Sequence, residues 1–176
     1  MYATFGFGFF ERDQLAAAAR LWVEQGFQRL KMTVGGHALA RRDEPRPIDE
    51  VIAEDVRRVA AVREAAGPEV KLYVDANCGL DLFHASELAR RIEPYGISFF
   101  EEPLTQNDVR QMAQLRARTS IPLACGQNEG LAFRFRDLLV NQAADVLQPN
   151  VTISGGYSQC LKLSLIHISE PTRRYA

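Results

Sequence analysis

Cysteine is scarce in this chain: of 176 residues only Cys78, Cys125 and Cys160 carry a thiol, and tryptophan occurs once. Three widely separated cysteines without a CxxC pair make neither a disulfide framework nor a thiolate zinc site, which points to a reducing, cytoplasmic setting. An excess of one charge is also missing, since 21 Lys and Arg stand against 22 Asp and Glu for a formal charge of −1. There is thus no general attraction to nucleic acid or to an anionic membrane, and a charged ligand must be met by a local site. No stretch approaches the roughly 20 apolar residues that cross a bilayer. The aromatic, glycine-bearing segment from Tyr2 to Phe10 has no basic start, long aliphatic middle or small-residue cleavage site, so it is no secretory signal. What is present is ordinary for a folded domain, 47% hydrophobic and 24% charged, which excludes disorder, collagen-like repeats and coiled coil.

The pattern along the chain is strand, helix, strand, repeated. The N-terminal aromatic stretch reads as a strand. Asp13 opens an alanine-rich helix to Gln25 with Leu15, Ala19 and Trp22 on one face, and Gly26 stops it. Arg29 to Val34 alternates as a strand does and ends at Gly35-Gly36, before a polar loop from His37 to Pro47. Asp49 is the expected N-cap of a helix carrying Ile52, Val56 and Val59, which Gly67-Pro68 terminates. Strands are then expected at 70–74, 97–100, 121–124 and 145–148, with helices at 81–92, 107–117 and 133–141 and a further one after Gly155-Gly156. Six βα units with short connections require parallel pairing and right-handed crossovers, so the fold class is α/β. In a closed barrel and in an open, flavodoxin-like sheet alike, chemistry gathers at the C-terminal ends of the strands.

The residues there are Lys31 and Thr33, Asp75 and Asn77, Glu101 and Glu102, Gln127 and Glu129, and Asn150. Asp75, Glu101 and Gln127 follow one another at intervals of 26 residues, which places three oxygen-bearing side chains at one depth on adjacent strands. Such an all-oxygen set suits a hard cation such as Mg²⁺. Taken singly, each acidic residue has an ordinary alternative as a helix cap. Asn77 is open between an Asx turn and a substrate-facing donor. Glu129 is either a substitute metal ligand or the partner of Arg134 or Arg136. His84 is expected on a solvated helix face and His37 in a loop able to approach the site. Gly35-Gly36 and Gly155-Gly156 fit turn geometry better than phosphate binding, because neither belongs to a GxGxxG or Walker pattern.

The segments Gly26-Phe-Gln-Arg-Leu-Lys-Met-Thr-Val-Gly35, Val74-Asp-Ala-Asn77, Phe100-Glu-Glu-Pro103, Cys125-Gly-Gln-Asn-Glu129, Phe135-Arg-Asp-Leu138 and Gln148-Pro-Asn150 with Gly155-Gly156 resemble, in order, the strand-end motifs of the enolase superfamily. They are most similar to its mandelate racemase and muconate lactonizing enzyme group, and the resemblance runs from about Tyr2 to about Leu161. It implies part of a (β/α)₈ TIM-type barrel that abstracts the proton α to a carboxylate and stabilises the enediolate on Mg²⁺. Asp75 and Glu101 match the first two metal ligands. Lys31 matches the first lysine of the Lys-x-Lys motif, beside the substrate carboxylate. A small-molecule carboxylate is the implied partner, in a parent protein that forms homo-oligomers.

The departures from the family pattern are all from ionisable to neutral. Thr33 stands at the second lysine, usually an acid/base, and its hydroxyl is no base near neutral pH. Gln127 stands at the third metal ligand and can coordinate only through an uncharged amide oxygen. Asn150 replaces the carboxylate of the His–Asp dyad and can orient but not stabilise an imidazolium. Family members also carry a capping domain and two further βα units. Residues 1–162 therefore read as a partial barrel domain. The tail 163–176 reads as the translation of a sequencing adapter, which keeps His167 out of the dyad. The leading functional expectation is a fragment of an acid-sugar or hydroxy-acid dehydratase, racemase or cycloisomerase. A non-catalytic relative that at most binds metal or carboxylate is the alternative.

Overall fold

The computed structural model describes residues 1–8, 10–36 and 45–169, the side chains of 166–169 excepted. Its six strands are β1 (Ala3–Phe5), β2 (Arg29–Thr33), β3 (Lys71–Asp75), β4 (Ile97–Glu101), β5 (Leu123–Cys125) and β6 (Val146–Leu147). Between and after them run α1 (Arg12–Glu24), α2 (Ile48–Ala66), α3 (Leu82–Ile92), α4 (Val109–Arg116), α5 (Ala132–Val140) and α6 (Gly156–Ser169). Every neighbouring pair of strands is parallel, and the spatial order is the chain order, β1 to β6. A doubly wound sheet reverses its order at a switch point. This sheet has no reversal, which overturns the open flavodoxin-like alternative and leaves six consecutive units of a (β/α)₈ barrel.

Period-two alternation sorts the strand side chains onto two faces. Leu30, Met32, Leu72, Val74, Phe100, Leu123 and Cys125 are fully buried and join the core formed with the helices. The alternate positions, Lys31, Thr33, Tyr73, Asp75, Phe99 and Glu101, share the other face, in rows set by the registers Lys31–Tyr73–Phe99 and Thr33–Asp75–Glu101. In the first row Tyr73 stacks on Phe99 at 4.2 Å and meets Tyr2 at 5.6 Å. An aromatic layer therefore lies beneath the charged row.

Local chemistry at the helix starts moves some of the expected boundaries. α1 begins with a capping box in which Gln14 Oε1 accepts from the Glu11 backbone N–H at 2.9 Å, so Glu11 and not Asp13 is the cap. α2 starts after Pro47, with Asp49 inside its first turn. Pro47 fixes φ near the value a helix start needs, so the chain turns two residues earlier than Asp49 suggests. Asn107 belongs not to α4 but to a short 3₁₀ turn, because Asp108 caps α4 by accepting from the N–H groups of Arg110 and Gln111. α6 runs without a break through the 162/163 position, and Leu163 is buried in the core. His37 lies outside the described residues, as does the side chain of His167.

Candidate active site at the strand ends

Lys31 reaches across the charged row from β2 and donates to Asp75 Oδ2 at 3.0 Å and to Glu101 Oε2 at 2.8 Å. All three residues are at least nine-tenths buried. Burial alone would lower the lysine, but the two carboxylates hold its pKa above the ordinary lysine range, so it is an ammonium at neutral pH. It also lies 5.3 Å above the Tyr2 ring, where the ring face favours a cation. Glu101 is moved the opposite way. Burial and the charge of Asp75 raise its pKa above the ordinary carboxylate value, and Lys31 together with a hydrogen bond from Gln148 offsets them only in part.

The remaining carboxylate oxygens differ. Asp75 Oδ1 accepts from the Asn77 backbone N–H at 2.9 Å, in a turn that gives Asn77 a φ of 51°. The Asx turn at this point is therefore made by Asp75, with Asn77 as its donor. Glu101 Oε1 is buried and meets no hydrogen-bond donor. Gln148, just past β6, has its Oε1 buried without a hydrogen-bond partner, while its side-chain amide hydrogen-bonds toward the Glu101 carboxyl and lowers that group's pKa. Nothing in the spacing of the motifs singled out Gln148.

The other expected residues are placed as follows. Thr33 points into the same row, but its hydroxyl donates to the Gly6 carbonyl at 2.9 Å. Gln127 is exposed. Its loop begins at Gly126, where φ is 119° and a Cβ would come within 2.6 Å of the Phe135 ring, so only glycine fits. Asn150 accepts from the N–H of Thr152 at 3.1 Å and from its hydroxyl at 2.7 Å, which closes the turn after β6. Glu129 takes the ordinary one of its two readings: Oε2 accepts from Arg134 Nε at 2.7 Å, and Oε1 from Asn107 Nδ2 at 3.1 Å. His84 is not solvated as expected. Its ring contacts Asp81 at 2.7 Å and approaches Asp49 at 3.7 Å, joining α3 to the first turn of α2.

Two buried polar networks flank the row. On one side Glu102 accepts from the Asn128 backbone N–H at 3.0 Å, from the Asn128 side-chain amide, from Asn107 Nδ2 at 3.4 Å and from Cys78 Sγ at 3.6 Å. Burial and this carboxylate push the Cys78 thiol up to about 12, so it is an unreactive proton donor at neutral pH. On the other side Arg58 of α2 pairs with Asp55 at 2.6 Å and donates to the carbonyls of Thr33, Gly6 and Phe7. Asp55 in turn accepts from the Gly35 N–H at 2.6 Å. The ends of β1 and β2 are thus pinned by one ion pair. Asp55 and Arg58 sit i, i+3 on the buried stripe of α2, and two charges in an apolar stripe were the signal available in the sequence.

Among the described residues no three His, Cys, Asp or Glu side chains are grouped to hold a metal ion. Here two carboxylates stand beside neutral amides. No helix among the described residues is long and apolar enough to cross a membrane.

Comparison with known proteins follows the same lines. The family described as enolase C-terminal domain-like matches residues 14–167. Arabinonate dehydratase of Saccharolobus solfataricus is 29% identical over 92% of this chain and 40% of its own length. L-talarate/galactarate dehydratase of Salmonella typhimurium is 39% identical over 63% of this chain and 28% of its own. The crystal structure of L-talarate dehydratase from a Polaromonas species, complexed with Mg and L-glucarate, superposes with a TM-score of 0.83 at 32% identity, covering 96% of this chain and 44% of that one. The chain spans less than half the length of the relatives it matches.

Proposed function

The chain belongs to the enolase superfamily, in its mandelate racemase/muconate lactonizing enzyme branch, and from that premise we propose that its strand ends form the cation-binding side of an active site that removes the proton α to a carboxylate. The substrate class is an acid sugar or hydroxy acid. Dehydration is the leading outcome, ahead of racemisation and cycloisomerisation. The observation that carries this reading is the buried Lys31–Asp75–Glu101 group, two carboxylates and an ammonium on one face of adjacent strand ends.

A proton α to a carboxylate anion is too weakly acidic for a side chain to remove unaided, so the charge that develops must be met by fixed positive charge. Lys31 supplies one such charge. Its pKa stands above the ordinary range, so it acts as an electrostatic partner of the substrate carboxylate and not as the base. Asp75 and Glu101 would hold Mg²⁺, and the fit is supported by Glu101 Oε1, a carboxyl oxygen buried without a hydrogen-bond partner. The motif offers Gln127 as the neutral third donor. When bound, the cation supplies Lewis-acid stabilisation of the enediolate. Thr33 and Asn150 stand at the two base positions of the family pattern, where a hydroxyl and an amide are no bases near neutral pH. Asn77 sits at the same strand end, its backbone N–H held by Asp75.

The second reading is a relative that binds a carboxylate without turning it over. It is favoured by the engagement of the Thr33 hydroxyl with the Gly6 carbonyl and of Asn150 with Thr152. Solvent exchange separates the two. Incubation with Mg²⁺ and a panel of acid sugars in D₂O, read by proton NMR, is expected to show Mg²⁺-dependent loss of an α-proton signal. Binding of an acid sugar without exchange at any member of the panel would establish the second reading instead.

A further inference from the structure

Resting on the cation-binding reading above, we propose that Lys31 is the resident counter-ion of the Asp75–Glu101 pair and that a divalent cation enters the pair by displacing its ammonium. The oxygen inventory leads there. Lys31 Nζ donates to Asp75 Oδ2 at 3.0 Å and to Glu101 Oε2 at 2.8 Å, so one ammonium bridges the two carboxylates. The second oxygen of Asp75, Oδ1, accepts from the Asn77 backbone N–H at 2.9 Å. With Lys31 in place both oxygens of Asp75 are engaged, and within the pair only Glu101 Oε1 meets no partner.

A divalent cation shared by the two carboxylates needs an oxygen from each. On Asp75 that oxygen faces either the ammonium or the Asn77 N–H. The N–H is fixed by the turn after β3, where Asn77 has a φ of 51°, whereas the lysine stem is a flexible four-carbon chain. Two cations on one carboxylate oxygen repel each other, and the repulsion is strong here because Lys31, Asp75 and Glu101 are all at least nine-tenths buried, away from screening water. The group that gives way is therefore Lys31. The face of the Tyr2 ring, 5.3 Å from Nζ, is a second and weaker hold on the released ammonium. Lys31 thus neutralises the two carboxylates until the cation takes over that task, and its charge is then available to an incoming carboxylate.

The test is a Mn²⁺ titration of the 176-residue chain followed by electron paramagnetic resonance, with circular dichroism melts on every variant. The apparent affinity of the parent is lowered by the fraction of molecules in which Lys31 has let go, so Lys31→Met is expected to tighten Mn²⁺ about tenfold or more. Lys31→Gln, which keeps a hydrogen-bond donor for the carboxylates, is expected to tighten it as well and serves where the melts show Lys31→Met unfolded. Lys31→Arg separates displacement from plain repulsion. It keeps the charge but grips carboxylates through a planar fork, so displacement predicts binding weaker than the parent by about tenfold, and repulsion alone predicts no change. The proposal is overturned if the neutral variants bind no more tightly than the parent, or if Lys31→Arg binds as tightly as the parent. Asp75→Asn distinguishes that failure from failure of the cation reading. If the parent binds, Asp75→Asn abolishes binding and the Lys31 variants change nothing, displacement fails and the cation reading stands. If neither the parent nor Lys31→Gln binds, the cation reading fails with it.

Discussion

Glu101 and Glu102 are adjacent in the chain, both almost wholly buried, and have opposite surroundings. Glu102 is saturated: four donors from Asn107, Asn128 and Cys78 converge on its two oxygens, and it ties the loops after β3, β4 and β5 together. Glu101 has Lys31 on one oxygen and no donor on the other, with the negative charge of Asp75 close enough to raise its pKa. A carboxylate whose lone pairs are filled by the protein is a fastener. One left partly unfilled beside a like charge is unfavourable for the fold alone, which marks it as a candidate for binding.

Breaking the charged row at its cation has the largest expected effect on stability. Lys31→Met leaves Asp75 and Glu101 buried side by side without a positive partner, and loss of one member of a buried ion pair costs about 3–5 kcal/mol. Because Mg²⁺ would replace the missing charge, excess Mg²⁺ is expected to restore about 2.7 kcal/mol at a hundredfold excess over its Kd. Urea melts with and without Mg²⁺ check both parts. A loss that Mg²⁺ does not touch would show that the two carboxylates do not act as a cation site.

Breaking the saturated partner comes next. Glu102→Ala strands the donors of Asn107 and Asn128 and is expected to cost about 3 kcal/mol, with no dependence on Mg²⁺. Glu101→Gln removes a charge that Asp75 opposes and should stay within about 1 kcal/mol of the parent. The same melts decide it, and equal costs for the two variants would dissolve the contrast.

The smallest effect is the pH dependence. The Glu101 pKa is raised in the folded chain, so the folded state holds that proton more tightly than the unfolded state does. The resulting stability is present below the ordinary glutamate value and is lost as pH rises through the raised value. Without divalent cation, Glu101→Gln should therefore flatten the stability profile in mildly acidic solution. With cation, protonation of Glu101 competes with binding, and affinity should fall as pH drops through the same range. Urea midpoints across that range would show it, and identical profiles for parent and variant would contradict it.

How much of this was legible in the sequence follows the same division. The βα alternation, the parallel sheet and the strand-end positions of Lys31, Asp75 and Glu101 follow from hydrophobic period and turn residues, because the backbone alone sets which residues end a strand. The caps at Glu11 and Pro47 were missed in favour of Asp13 and Asp49, since an acidic residue in the first turn and one at the cap look alike until backbone angles are known. Asp55 and Arg58, and the donors that surround Glu102, were not singled out. Their roles depend on which side chains meet across different βα units, and a spacing rule along one chain carries no such information. The identical intervals that singled out Gln127 locate a strand end, but they do not show that its side chain is exposed in the turn that starts at Gly126.

The most direct measurement is Mn²⁺ affinity by electron paramagnetic resonance for the parent chain, Glu101→Gln and Glu102→Gln in parallel. A cation site on the charged row predicts that the parent binds one Mn²⁺, that Glu101→Gln loses on the order of 100-fold in affinity, and that Glu102→Gln stays within about tenfold. Equal losses in the two variants, or no binding by the parent, would contradict it.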